Sequence, residues 1–142
     1  MRIADLLRTK GSTVATVTEH TTVAELLTGL AEHNIGAMVV AGSDGVAGIV
    51  SERDVVRGLH EQGASLLRQP VGEIMTTIIA TCTPEDFVDD LSAVMTERRI
   101  RHVPVLVEGE LKGIVSIGDV VKNRLDELER SHEHLEAYIA QG

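Results

Sequence analysis

The chain contains itself twice. Val14–Val56 lies over Ile79–Val121 at an offset of 65 residues without a gap, and 15 of the 43 pairs are identical. The densest stretch sets Gly48-Ile49-Val50-Ser51-Glu52-Arg53-Asp54-Val55-Val56 over Gly113-Ile114-Val115-Ser116-Ile117-Gly118-Asp119-Val120-Val121. Two copies of one supersecondary unit restrict the fold: each buries its apolar face against the other, and any site recurs about a pseudo-twofold axis. Every local feature must therefore be read in both halves.

Each half reads as strand, helix, strand, strand, helix. In the first, Val14–Thr18 alternates and is rich in β-branched residues, Thr22-Val23-Ala24-Glu25 has the form of a capping box, and Val23, Leu26, Leu27 and Leu30 follow at helical spacing. The apolar run Ala37–Ala41, the turn Ser43-Asp44-Gly45 and the return strand Val46–Val50 lead to Ser51, which opens a helix to about Gln62. In the second half a strand is expected over Ile78–Cys82. Thr83-Pro84-Glu85-Asp86 predicts a helix start with Pro at the first helical position. Val88, Leu91 and Met95 form its apolar stripe, His102–Val107 and Leu111–Val115 a hairpin, and Ser116 starts the last helix. Helical leads Ile3–Leu7 and Val71–Met75 precede the halves, and Gly63–Pro70 links them.

At 142 residues the chain is long enough for one compact domain with a real core. A net charge of −9 argues against general nucleic-acid binding, and with Phe87, Tyr138 and no Trp there are no stacking platforms for single strands. No apolar run has the length of a membrane span and the start MRIADLLRTK lacks a signal-peptide core, so a cytoplasmic location is expected. The lone Cys82 excludes an intramolecular disulfide, and none of the six histidines forms HExxH or a carboxylate-rich cluster, so no metal site is expected. Basic residues do gather at Arg98, Arg99, Arg101 and His102, which suits a small anionic ligand or a solvated helix end.

Ser51/Asp54 and Ser116/Asp119 carry the chemistry. Free amides and the positive dipole end at a helix N-terminus favour a phosphate, and an ionised Asp, acceptor-only, pairs well with the two hydroxyls of a ribose. Gly48 and Gly113 permit close approach of a ligand or a neighbouring strand. Ser-x-x-Asp is equally a variant capping box, and the two uses are compatible.

The βαββα order, the doubled Gly-h-h-Ser-x-x-Asp-h-h segment and Arg101-His102-Val103-Pro104-Val105 resemble a tandem pair of cystathionine-β-synthase (CBS) domains, over about residues 1–125. The resemblance implies an α+β fold of two βαββα repeats, 1–65 and 66–125, with a helical extension over 126–142. It implies adenosine ligands: AMP, ADP and ATP first, NAD(H) and S-adenosylmethionine behind. Carried onto this chain, one site joins Ser51, Arg53 and Asp54 to the strand around Ala80–Cys82 and to Arg101, His102, Val103 and Pro104. Its mate joins Ser116 and Asp119 to Thr16 and Val17 and to Ala37 and Met38. The first gathers Arg53, Arg101 and His102 and suits a more highly charged phosphate, whereas the second is more apolar and lacks a matching cation; unequal occupancy is expected, with the Asp54 site the better for phosphates. His102 itself reads either as a phosphate contact or as a strand residue.

Beyond the repeat, Val121, Leu125, Leu128, His132, Leu135 and Ile139 recur at spacings of 4, 3, 4, 3 and 4, an a/d stripe on a helix of roughly 35 Å. A helix packed on its own domain, a short coiled-coil seam and a swap across a dimer all fit it; dimerisation is the expectation. With no nucleophile–base pair, no catalytic residue and no required cofactor are expected. The function expected is ligand-linked regulation of a partner protein, with a ligand-free dimerisation module and a small enzyme as the other classes.

Overall fold

The structure is a computed structural model that describes residues 1–11, 13–43, 45–77 and 80–141. In the first half, β1 (Thr16–Thr18), α2 (Val23–His33), β2 (Ala37–Gly42), β3 (Gly45–Ser51) and α3 (Glu52–Gln62) follow the lead helix α1 (Ile3–Lys10). Then come two 3₁₀ turns, Gly63–Arg68 and Val71–Glu73, and β4 (Thr76–Thr77). The second half holds α4 (Val88–Arg98), β5 (His102–Val107), β6 (Glu110–Ser116) and the 25-residue α5 (Ile117–Gln141). This is a mixed α+β chain. One sheet runs β1-β2-β3-β4, with β1 parallel to β2 and the rest antiparallel, and β5-β6 form a second.

The duplication persists in backbone detail. The β2/β3 hairpin shifts register at Val40/Ala41, and β5/β6 shifts at Val105/Leu106, 65 residues on. Asn34 and Arg99, also 65 apart, close α2 and α4 in the left-handed region at φ 52° and 55°. Where Val17 pairs with Val40 in parallel, Cys82 makes one bridge to Val105. Of the strand expected over Ile78–Cys82, Ile78 and Ile79 lie outside the described residues, as does Asp44 of the expected turn.

The helical lead expected over Val71–Met75 is only a 3₁₀ turn, and the helix start expected at Thr83 is not formed. Thr83–Asp86 does not open a helix; it forms a turn in which Thr83 N–H donates to Asp86 Oδ2 at 2.8 Å and Asp86 N–H to Thr83 C=O at 3.2 Å. The helix begins at Val88, after Phe87. The reason is non-local. The carbonyls of Asp86 and Pro84 accept the N–H groups of Ile3 (2.8 Å) and Ala4 (2.9 Å), and Met1 C=O receives Val88 N–H at 2.9 Å. The incoming chain thus holds the turn open and satisfies an end of α4 that Phe87 cannot cap. In the first half Thr22 Oγ1 does accept the Glu25 N–H, at 3.2 Å.

The leads are exchanged between halves. Ile3, Leu6 and Leu7 pack with Cys82, Val88, Leu91, Met95, Val103, Val105, Val115 and Val120. Leu66 and Val71 in turn enter the core of Val23, Leu26, Leu30, Met38, Val40, Val50 and Val55. Burial of apolar side chains stabilises each core by roughly 25 cal/mol per Å², so each repeat depends on a segment lying before the other. This also explains the paired glycines. A Cβ on Gly48 would lie 2.5 Å from the Thr76 carbonyl oxygen, and one on Gly113 2.7 Å from Leu7 Cδ2. A neighbouring strand and a lead helix, respectively, claim the space.

The apolar stripe of α5 is not packed on its own domain: Val121, Leu125, Leu128, Leu135 and Ile139 are all more than half exposed. No helix among the described residues is long and apolar enough to cross a membrane.

Candidate functional site

The end of β3 and the start of α3 meet at Ser51, an extended residue (φ −125°, ψ 168°) that caps the helix. Its Oγ accepts Asp54 N–H at 3.4 Å and donates to Asp54 Oδ2 at 3.2 Å, while Ser51 N–H donates to the same oxygen at 2.9 Å. From β4, Thr76 Oγ1 donates to Asp54 Oδ1 at 3.1 Å. Among the described residues Asp54 is the one buried charged side chain, 8% exposed. It is supported there by three donors and the helix dipole.

Above this carboxylate opens a cavity of about 610 Å³. From α3 it is lined by Glu52, Arg53, Val56 and Arg57, from β3 and β4 by Ile49, Thr76 and Thr77, and next by Ala80. The end of α4 and the loop into β5 contribute Arg98, Arg99, Ile100, Arg101 and His102, with Gly36 completing the wall. Five arginines and two acidic residues thus line a cavity in a chain whose net charge is −9. A concave cationic surface on an acidic protein focuses its field on anions. Arg99 is held at φ 55°, a conformation that costs a non-glycine residue roughly 1–2 kcal/mol.

Of the residues read from sequence for this site, Ser51, Arg53, Asp54, Ala80, Arg101 and His102 line the cavity. Cys82, Val103 and Pro104 do not; their side chains are buried, Cys82 and Val103 within the core of the second repeat. Burial first, and Asp86 second, push the Cys82 thiol up to about 12. Sequence reading missed Arg57, which had a signal in its spacing of four from Arg53 on one helix face. It noted Arg98 and Arg99 only as a basic cluster. Thr76, 22 residues from Asp54, had no local signal.

The second copy is built alike and finished differently. Ser116 N–H donates to Asp119 Oδ2 at 2.8 Å, and Asp119 N–H to Ser116 Oγ at 3.2 Å. In place of a threonine comes Lys10, whose Nζ donates to Asp119 Oδ2 at 2.5 Å and to the Ile114 carbonyl at 2.6 Å. Burial pushes the Asp119 carboxyl up, but the hydrogen bonds and charge of Lys10, with Ser116, outweigh it and hold it below the ordinary value. The expectation that this site lacks a cation is corrected here: α1 packs against the second repeat and supplies one from outside the aligned segments. Ser116 and Asp119 do not line this cavity, and the same holds for Thr16, Val17, Ala37 and Met38. Ala37 and Met38 are buried, Val17 is half-buried against the first core and Thr16 is exposed.

His102 starts β5 opposite Ser116. Burial, then the Lys10 and Arg101 charges, pull its pKa below the ordinary imidazole value against the opposing Asp119 and Glu52. Among the described residues, no three His, Cys, Asp or Glu side chains are grouped to hold a metal ion.

The CBS-domain family model matches this chain twice, over residues 3–61 and 71–126. A mitochondrial CBS domain-containing protein of Arabidopsis thaliana, CBSX3, is 37% identical over 149 residues, covering 99% of this chain and 72% of its own length. The crystal structure of the CBS-domain containing protein ATU1752 from Agrobacterium tumefaciens superposes with a TM-score of 0.83 at 45% identity, over 87% of this chain and 99% of that one. The CBS domain pair of protein MJ0100, solved with 5-methylthioadenosine and S-adenosyl-L-methionine, shares the fold at a TM-score of 0.79 and 22% identity. That likeness covers 89% of this chain and 98% of that one.

Proposed function

The chain belongs to the CBS-domain family, and on that premise we propose that it is a non-catalytic, cytoplasmic regulatory module that binds an adenine nucleotide between its repeats. The observation that carries this reading is the cavity over Asp54, with its five arginines. Asp54 would take the ribose hydroxyls, and the arginines the phosphates. ATP and ADP then rank above AMP, with NAD(H) next. S-adenosylmethionine comes last, because its sulfonium charge meets a cationic wall. Bound phosphates would draw α3 of the first repeat toward the end of α4 of the second. A regulated partner would sense this through its differential affinity for the two geometries.

Calorimetric titration with ATP and AMP tests the ranking. Arg57→Ala and Arg99→Ala are each expected to weaken ATP by about tenfold or more, the worth of a charged hydrogen bond, and AMP by less. Equal affinities for ATP and AMP, indifferent to both substitutions, would remove the phosphate assignment.

One observation favours a second reading, a dimerisation module without ligand: Ser51 and Asp54 already satisfy each other as a cap. Dimerisation belongs to both readings. A groove of about 310 Å³ between α4 and α5, with Val88, Val121 and Leu125 in its walls, runs into the exposed stripe of α5. We expect two copies to pair along it. In sedimentation equilibrium the wild type should be a dimer, and the double variant Leu128→Asp, Leu135→Asp a folded monomer. A monomeric wild type would end the dimer proposal.

A further inference from the structure

The two Ser/Asp turns differ in what reaches the carboxylate from outside. At Asp54 it is the neutral hydroxyl of Thr76, on Oδ1, beside an open cavity. At Asp119 it is the ammonium of Lys10, on the oxygen already held by the Ser116 amide. The same ammonium holds the Ile114 carbonyl. Ile114 is the counterpart of Ile49, which in the first repeat lines the cavity and pairs with Thr76.

Lys10 is no loose surface lysine. It ends α1, whose Ile3, Leu6 and Leu7 are anchored in the second repeat's core, and Gly11 closes the helix with its N–H on the Leu7 carbonyl at 2.7 Å. Its side chain is 32% exposed and that of Asp119 23%. The anchored helix presents the ammonium to Asp119 at a high effective concentration. A ribose diol that engages both carboxylate oxygens there would have to displace, at Oδ2, a charge-assisted bond to a cation in favour of a neutral hydroxyl bond, an unfavourable exchange at a part-buried carboxylate.

We propose that Lys10 is the residue that decides occupancy: it plugs the second site from within, so that the chain takes a single nucleotide, over Asp54. The proposal rests on reading the Asp54 cavity as a nucleotide site. It makes the N-terminal lead a specificity element, since the segment that completes one repeat's core also closes that repeat's site.

The test is stoichiometry, measured by calorimetry with ATP as the probe, on the wild type, Lys10→Met, Lys10→Arg, and Lys10→Met combined with Asp54→Ala or with Asp119→Ala. Unchanged circular dichroism checks that each variant folds. Wild type and Lys10→Arg should bind a single ATP per chain, and Lys10→Met a second. That second equivalent should survive Asp54→Ala and vanish with Asp119→Ala. A wild type with one equivalent and a Lys10→Met variant also with one overturns the plug and leaves the first site standing. No binding by either overturns both. A readout without nucleotide accompanies it: acylation by a water-soluble succinimidyl ester should be at least tenfold slower at Lys10 than at Lys112 and Lys122. Equal rates would also overturn the proposal.

Discussion

With ATP at about a hundred times its dissociation constant, the chain is expected to gain roughly 2.7 kcal/mol of stability, a rise of about 5–10 °C in the thermal midpoint. Asp54→Ala should abolish that rise. The variant also loses the capping box and the acceptor of Thr76, so its ligand-free midpoint falls by itself, by about 1 kcal/mol for the cap alone. The informative quantity is therefore the difference between midpoints with and without ligand within each variant. Asp119→Ala provides the contrast, since its carboxylate faces Lys10 and not the cavity. It should keep the ATP-dependent rise. An undiminished rise in Asp54→Ala would move the ribose contact elsewhere. No rise in the wild type with ATP, AMP, NADH or S-adenosylmethionine would leave Ser51 and Asp54 as a helix cap only.

The second large effect concerns the exchanged leads. Ile3 stands near the N-terminus, where substitutions are usually harmless, yet it is fully buried. Ile3→Ala should cost about 2–5 kcal/mol, the range for a large-to-small change in a core, and Leu66→Ala, equally buried, should cost as much. Cys82 supplies a local probe, because its thiol is buried in the same core as Ile3 and held protonated. Modification of Cys82 by a disulfide reagent requires opening of the second repeat. For a loss near 3 kcal/mol its rate should rise by about two orders of magnitude in Ile3→Ala. Unchanged Cys82 labelling in Ile3→Ala, or a cost within the ±0.5 kcal/mol typical of surface changes, would contradict the exchanged packing.

Both effects depend on contacts that differ in how far they reach along the chain, and this separates what was legible in the residues. Ser51 and Asp54 stand three apart, as do Ser116 and Asp119. A capping box is a local device, so its position and partners follow from spacing alone. Hydrophobic periodicity is likewise local, and it placed α2, both hairpins and the long last helix near their observed limits. The duplication carried the argument further, because 65-residue correspondence extends to the register shifts at Val40 and Val105.

Contacts between distant segments overruled local chemistry wherever the two competed. Thr83-Pro84-Glu85-Asp86 has every mark of a helix start, but its carbonyls are bound by Ile3 and Ala4, some 80 residues earlier, and the turn stays open. The arginine wall combines α3 of one repeat with the end of α4 of the other, a convergence no spacing encodes. The clearest case is Lys10. Aligned copies differ only at aligned positions, and by that comparison the second site lacks a cation; packing of α1 into the opposite core delivers one from 109 residues away. The sequence by itself determined that there are two Ser/Asp turns of one design, and, with the family resemblance, that the first is the richer in cations. Only the tertiary structure decided that Arg57 and Thr76 join the first while the second holds a lysine, because each turn's surroundings come from chain segments that folding, and not proximity along the chain, brings to it.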